Sequence, residues 1–251
     1  MAKVIWQVAG AVRSVLLNRP EKRNALDGEM IATVEAAFTQ PPGANERVAV
    51  IRAAGAVFCA GLDLKERAAN PGDVSPIEGM LQAIETFPLP VVAVVQGDAI
   101  AGGNELAMHC DLVIASRAAR FGMSLVQIGM APSWFLAKKL LEVAGPVTTR
   151  RILLLGDPLP AQRLYDLGVI SHLAEPAELA TVAGDVIERL ANNAPLSLKA
   201  MKALIVRQMA FRDGIGHADV DKLVEAARRS QDAQEGMAAR LAHRKPQFKG
   251  R

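Results

Sequence analysis

The sequence predicts an α/β protein in which a layered core precedes a helical C-terminal region. Of its 251 residues 51% are apolar and only 4% are aromatic, a composition typical of a well-packed α/β enzyme. From residue 48 to about 173, short apolar runs rich in β-branched residues alternate with segments of helical periodicity, which indicates mainly parallel strands. After residue 176 only helical periodicity remains. We therefore expect a core over 1–193 and a helical region over 194–251.

The individual elements follow from periodicity and from turn residues. Apolar runs at 4–8 and 12–17, separated by Ala-Gly-Ala, predict a hairpin, and a helix is predicted over 27–38 before Pro-Pro-Gly. Further strands are predicted at 48–52, 91–95, 112–115 and 169–173. Core helices, several with proline at the start and glycine at the end, are predicted at 76–87, 133–143, 146–155 and 160–167. C-terminal helices are predicted at 178–191, 196–209, 217–231 and 234–243.

Charge and cysteine usage exclude several classes of protein. A net charge of +3 from 29 basic and 26 acidic residues is too small to indicate a nucleic-acid partner. Cys59 and Cys110 lie in apolar surroundings and are expected to be reduced and buried. No Cys/His spacing suits a metal, and His109 is expected to be an ordinary helix residue. No signal-peptide or membrane-spanning pattern is seen, so we expect a cytoplasmic enzyme without a membrane partner.

The most informative residues are Gly102 and Glu105, which follow an apolar strand. A strand that ends at glycines and restarts as a helix leaves unpaired backbone N–H groups, where an anion can bind. Glu105 comes three residues after Gly102, about one helical turn, so its side chain returns to the same face. An acid/base group beside an oxyanion site predicts chemistry on a carbonyl compound.

A second loop, at 57–65, offers a similar arrangement. Ala60 and Gly61 allow close backbone approach, and a helix is expected to begin at Leu62 or Asp63. The carboxylate of Asp63 is well placed to cap that helix. Two separate loops that each present an N–H could hold one oxygen from two sides, although either loop alone is common in α/β proteins.

Segments spread in order along almost the whole chain resemble those of the enoyl-CoA hydratase/isomerase (crotonase) superfamily. They are LNRPEKRNAL at 17–26, FCAGLDLK at 58–65, 97–111 with GGNEL, 161–169, and RKPQFKG at 244–250. The resemblance implies a ββα spiral core and a helical C-terminal trimerisation region, assembled as a homotrimer or a dimer of trimers. It also implies a coenzyme A thioester substrate and no permanently bound cofactor.

The resemblance further implies roles for individual residues. The amides of Leu62 and Gly102 would hold the thioester oxygen, and Glu105 matches one of the two catalytic glutamates of the hydratases. The coenzyme A groove would be lined by Lys22, Ala60, Leu62, Asp63, Leu64, Lys65 and Gly102. Lys22 and Lys65 are equally well described as ordinary surface lysines.

One departure from the family pattern limits the reaction. In the hydratases a second glutamate follows the Phe-Gly of the next strand, and here Leu125 takes its place. Leucine cannot move a proton, whereas hydration normally divides two proton transfers between two acids. Leu125, Met123 and Trp134 could instead desolvate Glu105 and raise its pKa.

Several reactions therefore stay open. The first is hydratase/isomerase chemistry through a thioester enolate, with Glu105 as the sole acid/base. The second is acyl-CoA decarboxylation or carbon–carbon bond cleavage, since the segment 123–129 faintly resembles the decarboxylases. The third is an acyl-CoA binding protein that has lost catalysis. The residues that could supply the missing polar contact are Ser124, Gln127, Ser133 and Trp134.

Overall fold

A six-stranded sheet lies at the centre of the computed structural model, which describes residues 2–69 and 77–251. The strands of these described residues are β1 (Val4–Ala9), β2 (Val12–Leu17), β3 (Val48–Ala53), β4 (Val91–Val95), β5 (Ala99–Ile100), β6 (Leu112–Ser116), β7 (Arg120–Gly122), β8 (Leu159–Pro160) and β9 (His172–Ala174). The large sheet has the order β1-β2-β3-β4-β6-β9. Its β1–β2 pair is the predicted antiparallel hairpin, and all its other pairs are parallel. The predicted α/β class is confirmed.

Helices cover both faces of this sheet. They are α1 (Gly28–Thr39), α2 (Leu64–Ala69), α3 (Ile77–Thr86), α4 (Gly102–Met108), α5 (Trp134–Leu155), α6 (Ala161–Asp166), α7 (Leu179–Asn192), α8 (Pro195–Met209), α9 (Ala218–Arg229) and α10 (Gln231–Leu241). One face packs against α1 and α3, while α7 covers Val48, Val50 and Val92 on the other. Strand β4 is buried at every position, as expected for a central parallel strand.

The predicted helices agree with the structure except at some boundaries. The helix predicted over 76–87 is present as α3, and Pro76 lies outside the described residues. The two helices predicted at 133–143 and 146–155 form the single element α5, interrupted by Gly145 at φ 69°. Pro146 has no N–H to donate, so the kink falls where a helical hydrogen bond is missing anyway.

The strand predicted over 169–173 is shorter than expected. The amides of Val169 and Ile170 both donate to the carbonyl of Leu164, so these residues close a turn after α6. Only His172–Ala174 then pairs with the sheet, as β9. The turn therefore uses the amides that a longer strand would have offered to β6.

A second, three-stranded sheet of order β5-β7-β8 was not predicted. Its strands have two or three residues each, too few to show an alternating pattern in the sequence. It holds the segment before α4 in place, because β5 pairs with Phe121 and Gly122 of β7.

Helix α7 ends at Asn192 and α8 starts at Pro195, while the division into a core over 1–193 and a helical region over 194–251 stays a prediction. Helix α10 then returns to the core of the same chain and packs on the 3-10 turn Val126–Ile128. A Cβ placed on Gly236 would lie 2.3 Å from the carbonyl oxygen of Ile128, so this contact requires glycine. A role of 194–251 in oligomerisation stays a prediction.

Lys202 fastens α8 to the core. Its buried ammonium donates to the Asp111 carboxylate at 2.7 Å and to the carbonyl oxygen of Leu89 at 3.1 Å. Removal of the ammonium leaves the Asp111 carboxylate without its ion-pair partner and the Leu89 carbonyl without this donor. This bond joins the C-terminal region to the loops that flank β4.

We expect Lys202→Met to lower the free energy of unfolding by about 1–3 kcal/mol, since the pair loses its buried ammonium, although its carboxylate is partly exposed. Lys199→Met on the same helix removes an exposed lysine and is the matched control, with an expected change below about 0.5 kcal/mol. Urea unfolding of the three proteins measures the difference. Equal losses in both variants would show that the ion pair between Lys202 and Asp111 adds nothing of its own to the free energy of unfolding.

Candidate active site

The loop 59–63 and the segment before α4 are joined by backbone hydrogen bonds. The amide of Cys59 donates to the carbonyl of Asp98 at 3.1 Å, and the amide of Ile100 donates back to the carbonyl of Cys59 at 2.9 Å. A Cβ on Gly103 would lie 2.2 Å from the Cys59 oxygen, so glycine is required for this approach. The two loops singled out in the sequence are therefore neighbours in space.

The other edge of the loop 59–63 is held by the segment 19–26. The amide of Leu26 donates to the carbonyl of Gly61 at 2.7 Å, and the amide of Asp63 donates to the carbonyl of Leu26 at 2.8 Å. Asp63 also caps α2, accepting from the amide of Lys65, and forms an ion pair with Arg19 at 2.9 Å. Pairing on both edges fixes the direction of the intervening amide, that of Leu62.

The backbone at Leu62 and the backbone at Gly102 lie close together. A Cβ placed on Gly102 would be 3.6 Å from the Leu62 nitrogen. Within residues 2–69 and 77–251, neither amide donates to an acceptor of the chain. Two adjacent donors without an internal acceptor suit an oxygen that carries developing negative charge.

Ala101, directly before α4, has a strained backbone. Its φ of 50° and ψ of −117° are rare for a residue with a side chain. The conformation is held by a hydrogen bond of 2.7 Å from the Ala101 amide to the carbonyl of Gly122 in β7. Strain of this kind is found where a functional backbone direction must be maintained. Here the strained residue directly precedes Gly102, whose backbone lies close to that of Leu62.

These amides lie at a cavity of about 1130 Å³. Of the nine residues that the family resemblance marks as catalytic, as coenzyme A contacts or as the site of the second glutamate, five line it: Ala60, Leu62, Leu64, Gly102 and Leu125. The remaining four, Lys22, Asp63, Lys65 and Glu105, are not part of its surface. Lys22 and Lys65 are exposed, so their proposed contacts with coenzyme A stay a prediction.

The C-terminal helices supply a wall of the cavity that sequence reasoning missed. The residues concerned are Asp221, Val224, Glu225, Arg228 and Arg229 of α9, and Gln234, Met237 and Arg240 of α10. In α9 the spacing of 221, 224, 225 and 228 is that of one helical face. The periodicity was visible in the sequence, but the surface that this face meets was not.

Glu105 is completely buried one helical turn after Gly102, on the side of α4 that faces α5. Neither carboxyl oxygen makes a hydrogen bond of normal geometry within the described chain. Burial raises the pKa of Glu105 to about 8, while the Asn104 amide and the Lys139 ammonium oppose the rise. The carboxyl is therefore mostly protonated at neutral pH.

His109 is a buried residue at the end of α4, as expected, and its ring stacks on Phe135 with centroids 5.1 Å apart. Cys59 and Cys110 are buried and unpaired, and burial raises the pKa of the Cys59 thiol to about 12. Among the described residues no group of three or more His, Cys, Asp or Glu side chains is placed to hold a metal ion.

The four polar candidates near Leu125 have different surroundings. Ser124 donates to the carbonyl of Gly156 at 2.8 Å, and Gln127 donates to Asp157 at 3.0 Å. Ser133 caps α5, and Trp134 stacks on His217 with centroids 4.6 Å apart. The first three also line the cavity, whereas Trp134 does not.

The helices of the described chain include none with both the length and the apolar character needed to cross a lipid bilayer.

The sequence model of the family "Enoyl-CoA hydratase/isomerase" matches residues 7–251. The chain is 31% identical to the (E)-benzylidenesuccinyl-CoA hydratase of Thauera aromatica, covering 98% of this chain and 99% of that protein. It is also 31% identical to the 1,2-epoxyphenylacetyl-CoA isomerase of Escherichia coli (strain K12), over the full length of both.

Similar solved structures include a decarboxylase. Methylmalonyl-CoA decarboxylase in complex with 2-nitronate-propionyl-CoA has a TM-score of 0.91 at 26% identity, covering 100% of this chain and 99% of that one. An enoyl-CoA hydratase from Mycobacterium avium subsp. paratuberculosis K-10 has a TM-score of 0.86 at 27% identity, covering 99% of each chain.

We expect Glu105→Gln to raise the free energy of unfolding above that of the wild type by a few kcal/mol at about pH 9, and to change it little near pH 4. The folded carboxyl has a pKa of about 8, against an ordinary value of 4.5. At a pH between these two pKa values, Glu105 has lost its proton in the unfolded chain but keeps it in the folded chain. The stability contributed by the buried neutral acid is thus present below 4.5 and lost as the pH rises toward 8.

Urea unfolding of both proteins across this pH range measures the effect. The titration of His109 is common to both and cancels in the difference. Parallel stability curves would show that Glu105 ionises in the folded protein as it does in the unfolded chain.

Proposed function

The chain belongs to the enoyl-CoA hydratase/isomerase (crotonase) superfamily and is an acyl-CoA enzyme of that family; from this premise we propose that it stabilises a thioester enolate, with Glu105 as its sole proton carrier. The observation that carries the proposal is the adjacency of the Leu62 and Gly102 amides, with Glu105 one helical turn beyond. A thioester carbonyl placed against both amides would gain negative charge as the enolate forms. Loss of one such donor typically costs about 3 kcal/mol of transition-state stabilisation.

Hydratase/isomerase chemistry with a single carrier is the leading reaction. In the isomerisation of a 3-enoyl thioester, ionised Glu105 would take a proton from the α-carbon and return it to the γ-carbon. One carboxyl suffices, because it is regenerated in each cycle. Hydration also requires a water to be deprotonated, and Leu125, on the cavity surface, cannot do this.

Decarboxylation is the second candidate, and two observations favour it. Glu105 is held in its protonated form, and the solved decarboxylase has the same fold over the full chain. In a malonyl-type thioester the electrons of the C–CO₂ bond would pass into the enolate as CO₂ leaves. The proton of Glu105 would then go to the α-carbon. Apolar groups such as Met123 and Leu125 would disfavour a charged substrate carboxylate beside them.

The thioester would bind with its coenzyme A portion along the segments of Ala60, Leu62 and Leu64, with Lys22, Asp63 and Lys65 at the solvent side. The proposed chemistry needs no metal and no permanently bound cofactor, because two amides and one carboxyl supply the donors and the proton.

We also propose a homotrimer or a dimer of trimers. Several apolar side chains of the C-terminal region are more than half exposed: Leu196, Met201, Leu204, Ile205, Phe211 and Leu223. Apolar groups exposed together favour burial against another copy. Sedimentation equilibrium at micromolar concentration measures the assembly, and a monomer there would contradict it.

The pH dependence separates the two candidate reactions. Isomerisation needs ionised Glu105, so kcat/KM should rise as the pH rises through about 8. Decarboxylation needs the protonated acid, so kcat/KM should fall over the same range. The assay incubates the protein with a short 2-enoyl-CoA, its 3-enoyl isomer and a malonyl-type thioester, and identifies products by mass.

Glu105→Gln should lower turnover about 10²–10⁴-fold with little change in KM.

The reciprocal variant is Leu125→Glu, which restores a second carboxyl and should increase hydration of the 2-enoyl thioester at least about tenfold. Leu125→Gln is the matched control, because its side chain is polar but is not an acid or base near neutral pH.

Unchanged turnover in Glu105→Gln would refute the proton-carrier role. Tight acyl-CoA binding by calorimetry without turnover of any thioester would instead identify a binding protein.

A further inference from the structure

The ring of His109 is held in one tautomer. Its Nδ1 lies 2.8 Å from the carbonyl oxygen of Glu105. A carbonyl oxygen only accepts hydrogen bonds, so Nδ1 carries the proton and Nε2 is bare in the neutral ring. Stacking on Phe135, with 19° between the ring planes, restricts rotation of the imidazole.

The same Nδ1 lies 3.8 Å from Oε2 of the Glu105 side chain. This distance exceeds a hydrogen bond, but it brings the positive end of the N–H dipole beside the carboxyl. Both side chains are almost completely buried, at 0% and 1% exposure. In such surroundings a single dipole affects a charge more strongly than it would in water.

The charged groups that face this pair come from two other helices. Lys139 of α5 is bound by Glu85 of α3 and by Glu142 of its own helix, the latter at 3.0 Å. Lys138 of α5 also acts on His109. The two carboxylates offset much of the charge of Lys139. Besides the amide of Asn104, the His109 N–H is then the polar group that lies near the Glu105 carboxyl. Burial lowers the pKa of His109 to about 4, so the ring stays neutral when Glu105 titrates.

We infer that His109 is a positioning residue for Glu105: its fixed, neutral imidazole holds the carboxyl between α4 and α5 and stabilises the ionised form. The inference deepens the proposed function, because it explains how a carboxyl in apolar surroundings can both keep a proton and release it. A neutral ring stabilises the carboxylate without competing for its proton, whereas a charged partner would keep Glu105 ionised throughout.

The test titrates Glu105 directly by infrared difference spectroscopy of the full chain. The carbonyl stretch of the protonated carboxyl is identified as the band that Glu105→Gln removes, and its intensity is followed with pH. In His109→Leu the midpoint should rise by about one pH unit or more, because the stabilising dipole is lost. In His109→Gln, whose amide keeps an N–H donor, it should stay within about half a unit of the wild type.

Cys110→Ala is the matched control, since it removes a buried neighbour whose thiol donates to Leu106 rather than facing Glu105. Its midpoint should equal that of the wild type. An unchanged midpoint in His109→Leu would overturn the inference, as would equal shifts in His109→Leu and His109→Gln. If His109→Leu does not fold, His109→Met is used, with the same expected rise.

The band titration requires no turnover, so it distinguishes the inference from the proposed function. A shift in His109→Leu together with full activity of Glu105→Gln would support the positioning role and refute the proton-carrier role. A missing shift together with loss of activity in Glu105→Gln would do the reverse.

Discussion

The two-sided backbone pairing of the loop 59–63 is the constraint on which the site depends. One edge bonds to the segment before α4 through Cys59, and the other bonds to Leu26 through Gly61. The loop has no freedom left to turn its remaining amide elsewhere. Glycines at 61 and 103 make this possible, because a side chain at either position would meet the neighbouring backbone within about 3 Å. The backbone pairing of these three segments therefore determines where the Leu62 and Gly102 amides lie.

Desolvation then decides what the nearby carboxyl can do. Glu105 is completely buried, and its desolvation outweighs the stabilising effect of Asn104 and Lys139, so its pKa is raised to about 8. Leu125 extends these apolar surroundings to the cavity surface. By sequence this leucine stands where the hydratases carry a second glutamate, so an apolar side chain lines the cavity there instead of a second acid.

The sequence was sufficient for the elements with clear periodicity and for singling out the two loops that lie together at the cavity. The hairpin, the central strands and the C-terminal helices were predicted within a few residues, because each has several turns or alternations of pattern. The small sheet was missed, since two of its strands, Ala99–Ile100 and Leu159–Pro160, are too short to show an alternating pattern. The position of Glu105 behind the cavity surface could not be read either: helical spacing relates it to Gly102, but only the packing of α5 shows which neighbours surround its carboxyl.

Helices α9 and α10 line the cavity, but the loops that hold the Leu62 and Gly102 amides lie elsewhere in the chain. Residues such as Val224 and Met237 shape the cavity but take no part in the loop pairing that aims the Leu62 and Gly102 amides. Substitutions at such positions change the lining of the cavity without disturbing the backbone pairing of the loops. The shape of the cavity can therefore vary through α9 and α10 while the arrangement of the Leu62 and Gly102 amides is kept.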